Sequence, residues 1–369
     1  KVEDLKAHTI ILTSYGLVVN DLELLKQLEF DLIVADESQA IKNVSSLRYK
    51  SIIKLNGKLK LAMTGTPIEN GIAELYAHMN FVNPGFFRTF SGFKDQFVKE
   101  LRNGNPETME HLRKKIQPFV LRRTKEEVLT ELPDKIEEYL YCEMGATQKK
   151  IYEAYRNEYR EFLQGKFQEE GANQSKMFVL EGLTKLRQIC DSPSLISQEN
   201  GVNSAKIDLL VEHIQEKTGG HKILIFSQFV KMLQLVKSEL ISKNISFSYL
   251  DGKSSQKDRE NSVNQFQQDS SIRVFLISLK AGGTGLNLTA ADYVYILDPW
   301  WNPAVENQAI DRCYRMGQDK KVVAYRMICK DTVEEKIMEM QKSKLKLAKE
   351  VISEGDGFLT GMNGESMLR

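Results

Sequence analysis

Three side chains in the last quarter of the chain combine helical spacing with the chemistry of anion recognition. Gln308, Arg312 and Arg315 lie at i, i+4 and i+7, so a helix through this stretch would project all three from one face. The planar fork of an arginine guanidinium matches phosphate oxygens bidentately. The pattern predicts an anion-binding face, and the alternative is a solvated face on which Asp311 pairs with Arg315.

The residues that flank this face carry helix start and stop signals. Asn302 can cap a helix, Pro303 suits the first helical position, and Gly317 can end the helix. We therefore predict a single helix that carries all three anion-binding candidates.

A pair of acids follows an apolar run, residues 32–35, which is typical of a parallel strand covered on both faces. Asp36 and Glu37 thus stand at the carboxyl end of a strand, where open α/β sheets bind ligands. In nucleotide hydrolases one such acid holds Mg²⁺, and the next positions and polarises the attacking water. The alternative is a helix N-terminus, which favours acidic residues through its dipole.

Two further strand ends carry small residues. The run 59–63 ends in Thr64, Gly65 and Thr66, which suits either a loop that senses a neighbouring site or an ordinary turn. The run 273–278 precedes a segment with glycines at 282, 283 and 285, whose backbone amides can approach a phosphate closely. This segment lacks the Gly-Lys-Ser/Thr ending of a Walker A loop.

The elements that must position these residues alternate between strands and helices. Apolar runs predict strands at residues 8–13, 32–35, 59–63, 136–142, 222–226, 247–250, 273–278, 293–297 and 322–329. Helix-length segments separate most of them, so we predict an α/β fold with parallel sheets. Helical patterns at about 84–130 and 145–190 interrupt the alternation and indicate insertions. The first insertion holds a phenylalanine series that we expect to form core: Phe86, Phe87, Phe90, Phe93 and Phe97.

The composition is that of an ordinary globular protein. With 369 residues, 41% hydrophobic and 27% charged, the chain can form two or three domains. A formal net charge of +1 means that any nucleic-acid surface must be local. The four scattered cysteines disfavour a zinc site or a disulfide framework and fit a reducing compartment. No apolar run approaches the ~20 residues needed to cross a bilayer, and no signal peptide is evident.

Six short motifs occur in order along the chain. They are residues 36–39 (Asp-Glu-Ser-Gln), 64–70 (Thr-Gly-Thr-Pro-Ile-Glu-Asn), 225–229 (Ile-Phe-Ser-Gln-Phe), 251–252 (Asp-Gly), 280–287 and 298–318. Together they closely resemble the Swi/Snf family of DNA-dependent ATPases in helicase superfamily two. The resemblance extends from about residue 8 to about residue 346, and the Trp-Trp-Asn-Pro sequence at 300–303 is most similar to bacterial members.

The resemblance implies two RecA-like lobes with parallel sheets of the P-loop NTPase type. Residues 1–133 would form the C-terminal part of lobe 1, with a helical protrusion at about 84–130, and residues 134–369 would form lobe 2, with a protrusion at about 145–203. The family's Gly-Lys-Ser/Thr phosphate loop stands upstream of Asp36, and residues 1–35 of this sequence do not contain it. We therefore expect the C-terminal portion of a longer protein, with lobe 2 complete and lobe 1 truncated. Part of the lobe 1 sheet would then lack cover, and the chain would be inactive alone.

The resemblance also implies roles for individual residues, with ATP and Mg²⁺ as cofactors. Asp36 and Glu37 match the Mg²⁺-binding and water-activating acids, while Arg312 and Arg315 match the catalytic arginines of lobe 2, with Arg315 as an arginine finger. Nucleotide contacts or coupling to the nucleotide site are implied for Gln39, Thr64, Thr66, Gly283, Gly285, Asn287 and Gln308. Contacts with the DNA backbone are implied for Thr13, Ser14, Ser227, Gln228, Arg259, Ser278, Lys280, Gly282 and Trp301. Gln39 stands where many relatives have histidine.

The function implied is ATP-dependent translocation along double-stranded DNA, without sequence preference or strand separation. A DNA-bound protein would be the remodelling target, and no membrane is involved. The expected location is cytoplasmic: with the nucleoid in a bacterium, or in the nucleus of a eukaryote. Two alternatives stay open: an RNA or single-strand helicase of the same superfamily, and a non-catalytic DNA-binding module.

Overall fold

The computed structural model describes residues 2–65, 68, 71–103, 105–170, 176–196, 202–282 and 285–352. The chain forms two compact units: the first is Lys1–Arg122 together with Ser343–Arg369, and the second is Arg123–Lys342. The lobe boundary after residue 133 stays a prediction. Among the helices described, none is long and apolar enough to cross a membrane.

The first unit is built on a two-stranded parallel sheet of β1 (Glu29–Ala35) and β2 (Asn56–Ala62). Its helices are α1 (Val2–Lys6), α2 (Tyr15–Asn20), α3 (Leu22–Leu25), α4 (Leu47–Ile52), α5 (Ala73–Val82), α6 (Phe90–Phe93), α7 (Glu100–Arg102) and α8 (Pro106–Ile116). Ala35 lies opposite Ala62 in the ladder, so both strands end at the same edge of the sheet. The loops that follow the two strands therefore come together.

An aromatic cluster forms the core of the helical insertion in this unit. The ring centroids of Phe87, Phe93 and Phe97 lie 4.8, 5.2 and 5.6 Å apart, and all three side chains are buried. Phe86 and Phe90 are partly buried against the same cluster. The prediction that these phenylalanines form core is confirmed.

One face of the two-stranded sheet is open to solvent. Leu32 and Val34 of β1 and Leu59 and Leu61 of β2 are 47–68% exposed. The prediction that residues 32–35 are covered on both faces is therefore wrong, because these side chains find no cover within the described part of the chain. The expectation that part of this sheet lacks cover is confirmed.

The segment at residues 8–13 is not a strand, so that prediction is wrong. It is an extended connection between α1 and α2, and its Ile10 and Leu12 are 85% and 97% exposed. A β-branched run becomes a strand only when a neighbour accepts its backbone hydrogen bonds. In the ladders described, β1 and β2 pair only with each other.

The second unit contains a six-stranded, all-parallel sheet. Its strands are β3 (Lys135–Cys142), β4 (Ile223–Ser227), β5 (Phe247–Leu250), β6 (Val274–Ser278), β7 (Tyr293–Ile296) and β8 (Val322–Cys329), in the order β3-β8-β7-β4-β6-β5. The helices that follow α8 are α9 (Lys125–Val128), α10 (Ala146–Glu170), α11 (Lys176–Asp191), α12 (Ala205–Glu212), α13 (Val230–Ser242), α14 (Gln256–Gln268), α15 (Leu279–Gly282), α16 (Pro303–Ile310) and α17 (Val333–Ile352).

The central strands of this sheet follow directly from their sequences. Every residue of β4 (Ile-Leu-Ile-Phe-Ser) and of β6 (Val-Phe-Leu-Ile-Ser) is buried, since helices cover both faces of the sheet. The six strands predicted between residues 136 and 329 are all present, and the α/β class with parallel sheets is confirmed.

Candidate functional site

The acidic pair of the first unit stands at the end of β1, with both carboxylates exposed. Glu37 adopts a left-handed backbone conformation, with φ 47° and ψ 49°, and its N–H donates to Asp36 Oδ1 at 2.8 Å. A non-glycine residue in this region is strained, and such strain concentrates at functional sites.

Hydrogen bonds connect the acids to the loop after β2. Gln39 Nε2 donates to Glu37 Oε2 at 2.5 Å, and Thr64 Oγ1 donates to Gln39 Oε1 at 2.9 Å. The backbone closes the same corner, because Ser38 N donates to Met63 O at 2.8 Å. The structure thus brings together four predicted site residues, whereas Thr66 lies outside the described residues.

The sequence analysis missed Tyr15 as a neighbour of the acids. Its hydroxyl donates to the carbonyl oxygen of Asp36 at 2.7 Å. Burial, and then the negative charges of Asp36 and Glu37, raise the pKa of Tyr15 to about 12. Tyr15 follows two DNA-contact candidates, of which Thr13 is exposed and Ser14 caps α2 by accepting from Leu17 N at 3.3 Å.

In the second unit, α16 begins as predicted but ends early. Asn302 Oδ1 accepts from Ala304 N at 3.0 Å and Pro303 is the first helical residue, so the cap is confirmed. The helix ends at Ile310, and Arg312 lies in the turns beyond it. The prediction of one helical face is therefore wrong. Leu288 N donates to Arg312 O at 2.9 Å, which takes a carbonyl that a continuing helix would use.

The two arginines nevertheless remain in one structured segment. Arg312 is buried, while Arg315 is half-buried and donates from Nη1 to Leu286 O at 3.2 Å. Asp311 pairs with Lys125 at 2.7 Å, so the alternative in which it pairs with Arg315 is wrong. Gln308 is half-buried within α16.

The glycine-rich segment lies beside these arginines. Gly282 is buried at the end of α15, and a Cβ there would lie 2.8 Å from the ring of Phe226, so the position requires glycine. Gly285 has φ 49°, in the left-handed region, and Gly283 lies outside the described residues. Backbone freedom is therefore used at Gly285, whereas Gly282 is favoured by the lack of space beside Phe226.

A groove of about 620 Å³ runs between this segment and α14. Gly285 and Asn287 line one side, and Arg259 and Gln256 line the other. Arg259 Nη1 also donates to Ala281 O at 3.1 Å. The groove thus brings a predicted DNA-contact residue together with two predicted nucleotide-contact residues.

The two predicted DNA-contacting serines of the second unit are buried. The hydroxyl of Ser227 donates to Asp298 and accepts from Phe229 N at 3.0 Å, and Ser278 Oγ accepts from Ala281 N at 3.3 Å. Ser227 therefore shapes the loop that follows β4, and Ser278 supports the start of α15, the short helix that follows β6. Lys280 in α15 is exposed.

Gln228 and Trp301, also DNA-contact candidates, are half-buried. Gln228 N donates to Asp298 Oδ2 at 3.2 Å. The guanidinium of Arg187 lies over the ring of Trp301, 5.5 Å from its centroid. The binding roles of all these residues stay predictions.

A buried ionic cluster beneath the loop after β7 escaped the sequence analysis. Lys206 Nζ donates to Asp191 Oδ1 at 2.9 Å, to Glu334 Oε1 at 2.6 Å and to Leu297 O at 2.6 Å, and all three side chains are fully buried. Burial raises the pKa of Asp191 and of Glu334, and Lys206 opposes that rise. No local pattern links positions 191, 206 and 334, so sequence reasoning had no signal for this cluster.

Two cysteines lie at the edge of this ionic cluster. The sulfur atoms of Cys190 and Cys329 and a carboxylate oxygen of Glu334 lie within 4.8 Å of one another. Burial raises the pKa of the Cys190 thiol, which keeps it protonated and a poor metal ligand. Glu334 already accepts from the Lys206 ammonium at 2.6 Å.

With this geometry described, comparison with known proteins assigns the family. The SNF2-related domain family matches residues 1–195, and the helicase conserved C-terminal domain matches residues 205–317. The chain belongs to the SNF2-related family of ATP-dependent helicase-like proteins, which confirms the resemblance found in the sequence.

Relatives and a solved structure agree with this assignment. An uncharacterised ATP-dependent helicase of Mycoplasma genitalium is 36% identical over 371 residues, covering 100% of this chain and 35% of the relative. The TATA-binding protein-associated factor MOT1 of Saccharomyces cerevisiae is 32% identical over 416 residues, covering 97% and 22%. The chain therefore spans only about a third or less of the length of these relatives.

The fold is similar to that of the Sulfolobus solfataricus SWI2/SNF2 ATPase core in complex with double-stranded DNA. The TM-score is 0.50 at 36% identity, over 95% of this chain and 75% of that one. The similarity confirms the RecA-like fold.

Proposed function

We propose that the protein containing this chain couples ATP hydrolysis to translocation along double-stranded DNA. The observation that carries the proposal is the hydrogen-bonded series Glu37, Gln39 and Thr64 at the shared edge of β1 and β2. These hydrogen bonds join the exposed Glu37 to the loop that carries the Thr64 hydroxyl, in a chain of the SNF2-related family. Through these bonds the Thr64 loop can respond when a ligand of Glu37 binds, reacts or leaves.

The acids fit an ATP–Mg²⁺ group by their chemistry. Mg²⁺ prefers carboxylate oxygens, and Asp36 and Glu37 present theirs at the surface of the unit. We assign Asp36 to holding the metal, which would neutralise phosphate charge when bound. Glu37 orients and polarises the attacking water, and Gln39 fixes the Glu37 carboxylate for this task.

Arg312 and Arg315 supply the positive charge that the transferred phosphoryl group requires. An arginine in this role contributes electrostatic stabilisation that a neutral side chain cannot. The bond from Arg315 to Leu286 O holds the guanidinium beside the glycine-rich segment, so little side-chain entropy is lost when an anion binds.

Backbone contact with duplex DNA is assigned to exposed or half-buried groups of the second unit. Lys280, Arg259, Gln228 and Trp301 offer charge, amide and aromatic surface without a base-reading helix. The related Sulfolobus core was solved in complex with double-stranded DNA, which supports a duplex ligand. The name of the MOT1 relative, a TATA-binding protein-associated factor, supports a DNA-bound protein as the remodelling target.

The chain alone is proposed to be inactive, because its sequence contains no Gly-x-x-x-x-Gly-Lys-Ser/Thr phosphate loop; the Gly-Lys-Ser tripeptide at 252–254 lacks the first glycine of that pattern. The test therefore uses the full-length protein and compares ATP turnover without nucleic acid, with blunt duplex DNA and with RNA. We expect strong stimulation by duplex DNA and displacement of a triplex-forming strand without unwinding of the duplex. Vigorous unwinding, or stimulation by RNA alone, would instead favour a helicase.

A further inference from the structure

Arg187 lies near the C-terminal end of α11 and is only 2% exposed. Its Nη2 donates to Pro299 O and lies 3.7 Å from Asp298 Oδ2. Its guanidinium carbon is 5.5 Å from the ring centroid of Phe229 and 5.5 Å from that of Trp301. A single buried side chain therefore contacts two loops through both its edge and its faces.

These two loops follow adjacent strands, because β4 pairs with β7. Asp298 links them: its carboxylate accepts from the hydroxyl of Ser227 and from Gln228 N. Arg187 and Asp298 thus form the shared support of the Gln228 loop and of Trp301. A helix of the second insertion reaches both loops through this pair.

We propose that Arg187 is a positioning residue that orients Trp301 and the Gln228 loop for contact with duplex DNA. This inference rests on the proposed function. A guanidinium can donate in its plane to Pro299 O and Asp298 while its flat faces lie over aromatic rings. A lysine ammonium keeps the charge but has neither the plane nor the fork.

A simpler role would be neutralisation of the buried carboxylate of Asp298. Removal of one partner of a buried ion pair destabilises a protein whatever the pair does for function. The two roles differ in what lysine can restore. Neutralisation needs only the positive charge, whereas positioning needs the shape of the guanidinium.

The experiment uses the 369-residue chain, whose two tryptophans are Trp300 and Trp301. In a Trp300→Phe background, Trp301 is the sole source of tryptophan emission. Arg187→Lys is measured for Trp301 quenching by acrylamide, for the unfolding midpoint and for affinity to a blunt DNA duplex. We expect cooperative unfolding to persist, quenching to increase and affinity to fall about tenfold.

Arg273→Lys is the matched control. Arg273 also donates to buried backbone, with bonds to Ile214 O at 3.3 Å and Thr218 O at 2.5 Å, but it lies just before β6, at the opposite end of the strands. We expect this variant to keep both the Trp301 quenching and the duplex affinity of the unmodified chain. An equal loss of affinity in both variants would overturn the inference.

If Arg187→Lys does not fold, Phe229→Leu tests the positioning role instead. It removes one ring from the guanidinium and leaves the ion pair with Asp298, so we expect a smaller loss of affinity, about threefold. If Arg187→Lys folds and binds the duplex with normal affinity, the positioning role is overturned but the proposed DNA ligand is not. If Arg187→Lys does not fold, normal duplex affinity in Phe229→Leu has the same consequence. A parent chain that binds no duplex at all would overturn the proposed DNA ligand as well.

Discussion

At the end of β1, Asp36 and Glu37 are exposed, whereas Asp298, just after β7 in the second unit, is completely buried. The exposed acids face solvent, and hydrogen bonds from Glu37 N and Gln39 Nε2 hold their carboxylates. The oxygens of the buried acid are occupied by Ser227, Gln228 and Arg187. The same residue type at similar points in two parallel sheets thus serves ligand chemistry in one and loop construction in the other.

The difference follows from solvent. A carboxylate that faces water costs little to leave partly unpaired, but a buried one must be compensated by donors and cations. In the second unit Lys206 compensates buried acceptors in the same way, because its ammonium donates to Asp191, to Glu334 and to the carbonyl of Leu297. Burial, more than residue type, separates candidates for catalysis from residues that fix the backbone.

Arg315 tests the comparison most strongly, because it is half-buried and its guanidinium donates to Leu286 O. We expect Arg315→Ala in the full-length protein to lower DNA-stimulated ATP turnover about 10³-fold, since transition-state charge loses its partner. DNA affinity should persist. Arg315→Lys is the control for charge, and unchanged turnover in Arg315→Ala would place this residue with the structural group.

Lys206 gives the largest expected effect on stability. Lys206→Met leaves Asp191 and Glu334 buried without their cation, and should cost about 3–5 kcal/mol of unfolding free energy. The matched control is Lys58→Met, which breaks an exposed pair with Asp31 at 2.6 Å and should leave the denaturation midpoint unchanged. Equal denaturation midpoints for Lys206→Met and Lys58→Met would show that burial does not distinguish the exposed acids from the buried ones.

Thr64 tests the role of the exposed acids in the first unit. Thr64→Val deletes the hydroxyl that donates to Gln39 Oε1 and keeps the side-chain shape. Because the bond is partly exposed, we expect little change in stability but a fall of about three- to tenfold in ATP turnover of the full-length protein. Thr289→Val is the control, since Thr289 lies in the second unit and is bonded through its backbone carbonyl. A loss of stability without a loss of turnover would mean that Thr64 is structural.

The sheets could be predicted because their information is local. The apolar runs of β4 and β6 are short, β-branched and bounded by polar residues, and both became buried strands. For the Thr64 loop, one interpretation is that it senses a neighbouring site, and in the structure Gln39 links Thr64 to Glu37 where the two strands end. These predictions needed only strand periodicity and the geometry of a parallel sheet.

The features that were predicted wrongly or missed depend on contacts between residues that are distant in the sequence. The end of α16 is set in part by Leu288, which takes the carbonyl of Arg312. Residues 8–13 lack a described strand neighbour, which no local pattern could reveal. Lys206 resembles a surface lysine in sequence, because its partners Asp191 and Glu334 are 15 and 128 positions away.

The smallest expected effect concerns Tyr15, beside the exposed acids. Its pKa is raised to about 12 from an ordinary value near 10, so the unfolded chain loses this proton first as pH rises. The contribution to stability is full below about pH 10 and is lost as pH rises through about 12. Tyr15→Phe should remove this part of the alkaline decline and cost less than about 1 kcal/mol at neutral pH, since only the bond to Asp36 O is lost.

The measurement is the unfolding free energy from pH 8 to pH 12, together with phenolate absorbance. Tyr249→Phe is the matched control, because its hydroxyl is bonded to Asp251 and Gln234 in the second unit and its pKa is also raised to about 12. We expect the two difference titrations to have similar midpoints, but only Tyr15 to shift when Mg²⁺ and nucleotide bind to the full-length protein. A Tyr15 titration near pH 10 would show that neither burial nor the charges of Asp36 and Glu37 raise its pKa, and would weaken the description of this strand end as a concentrated negative site.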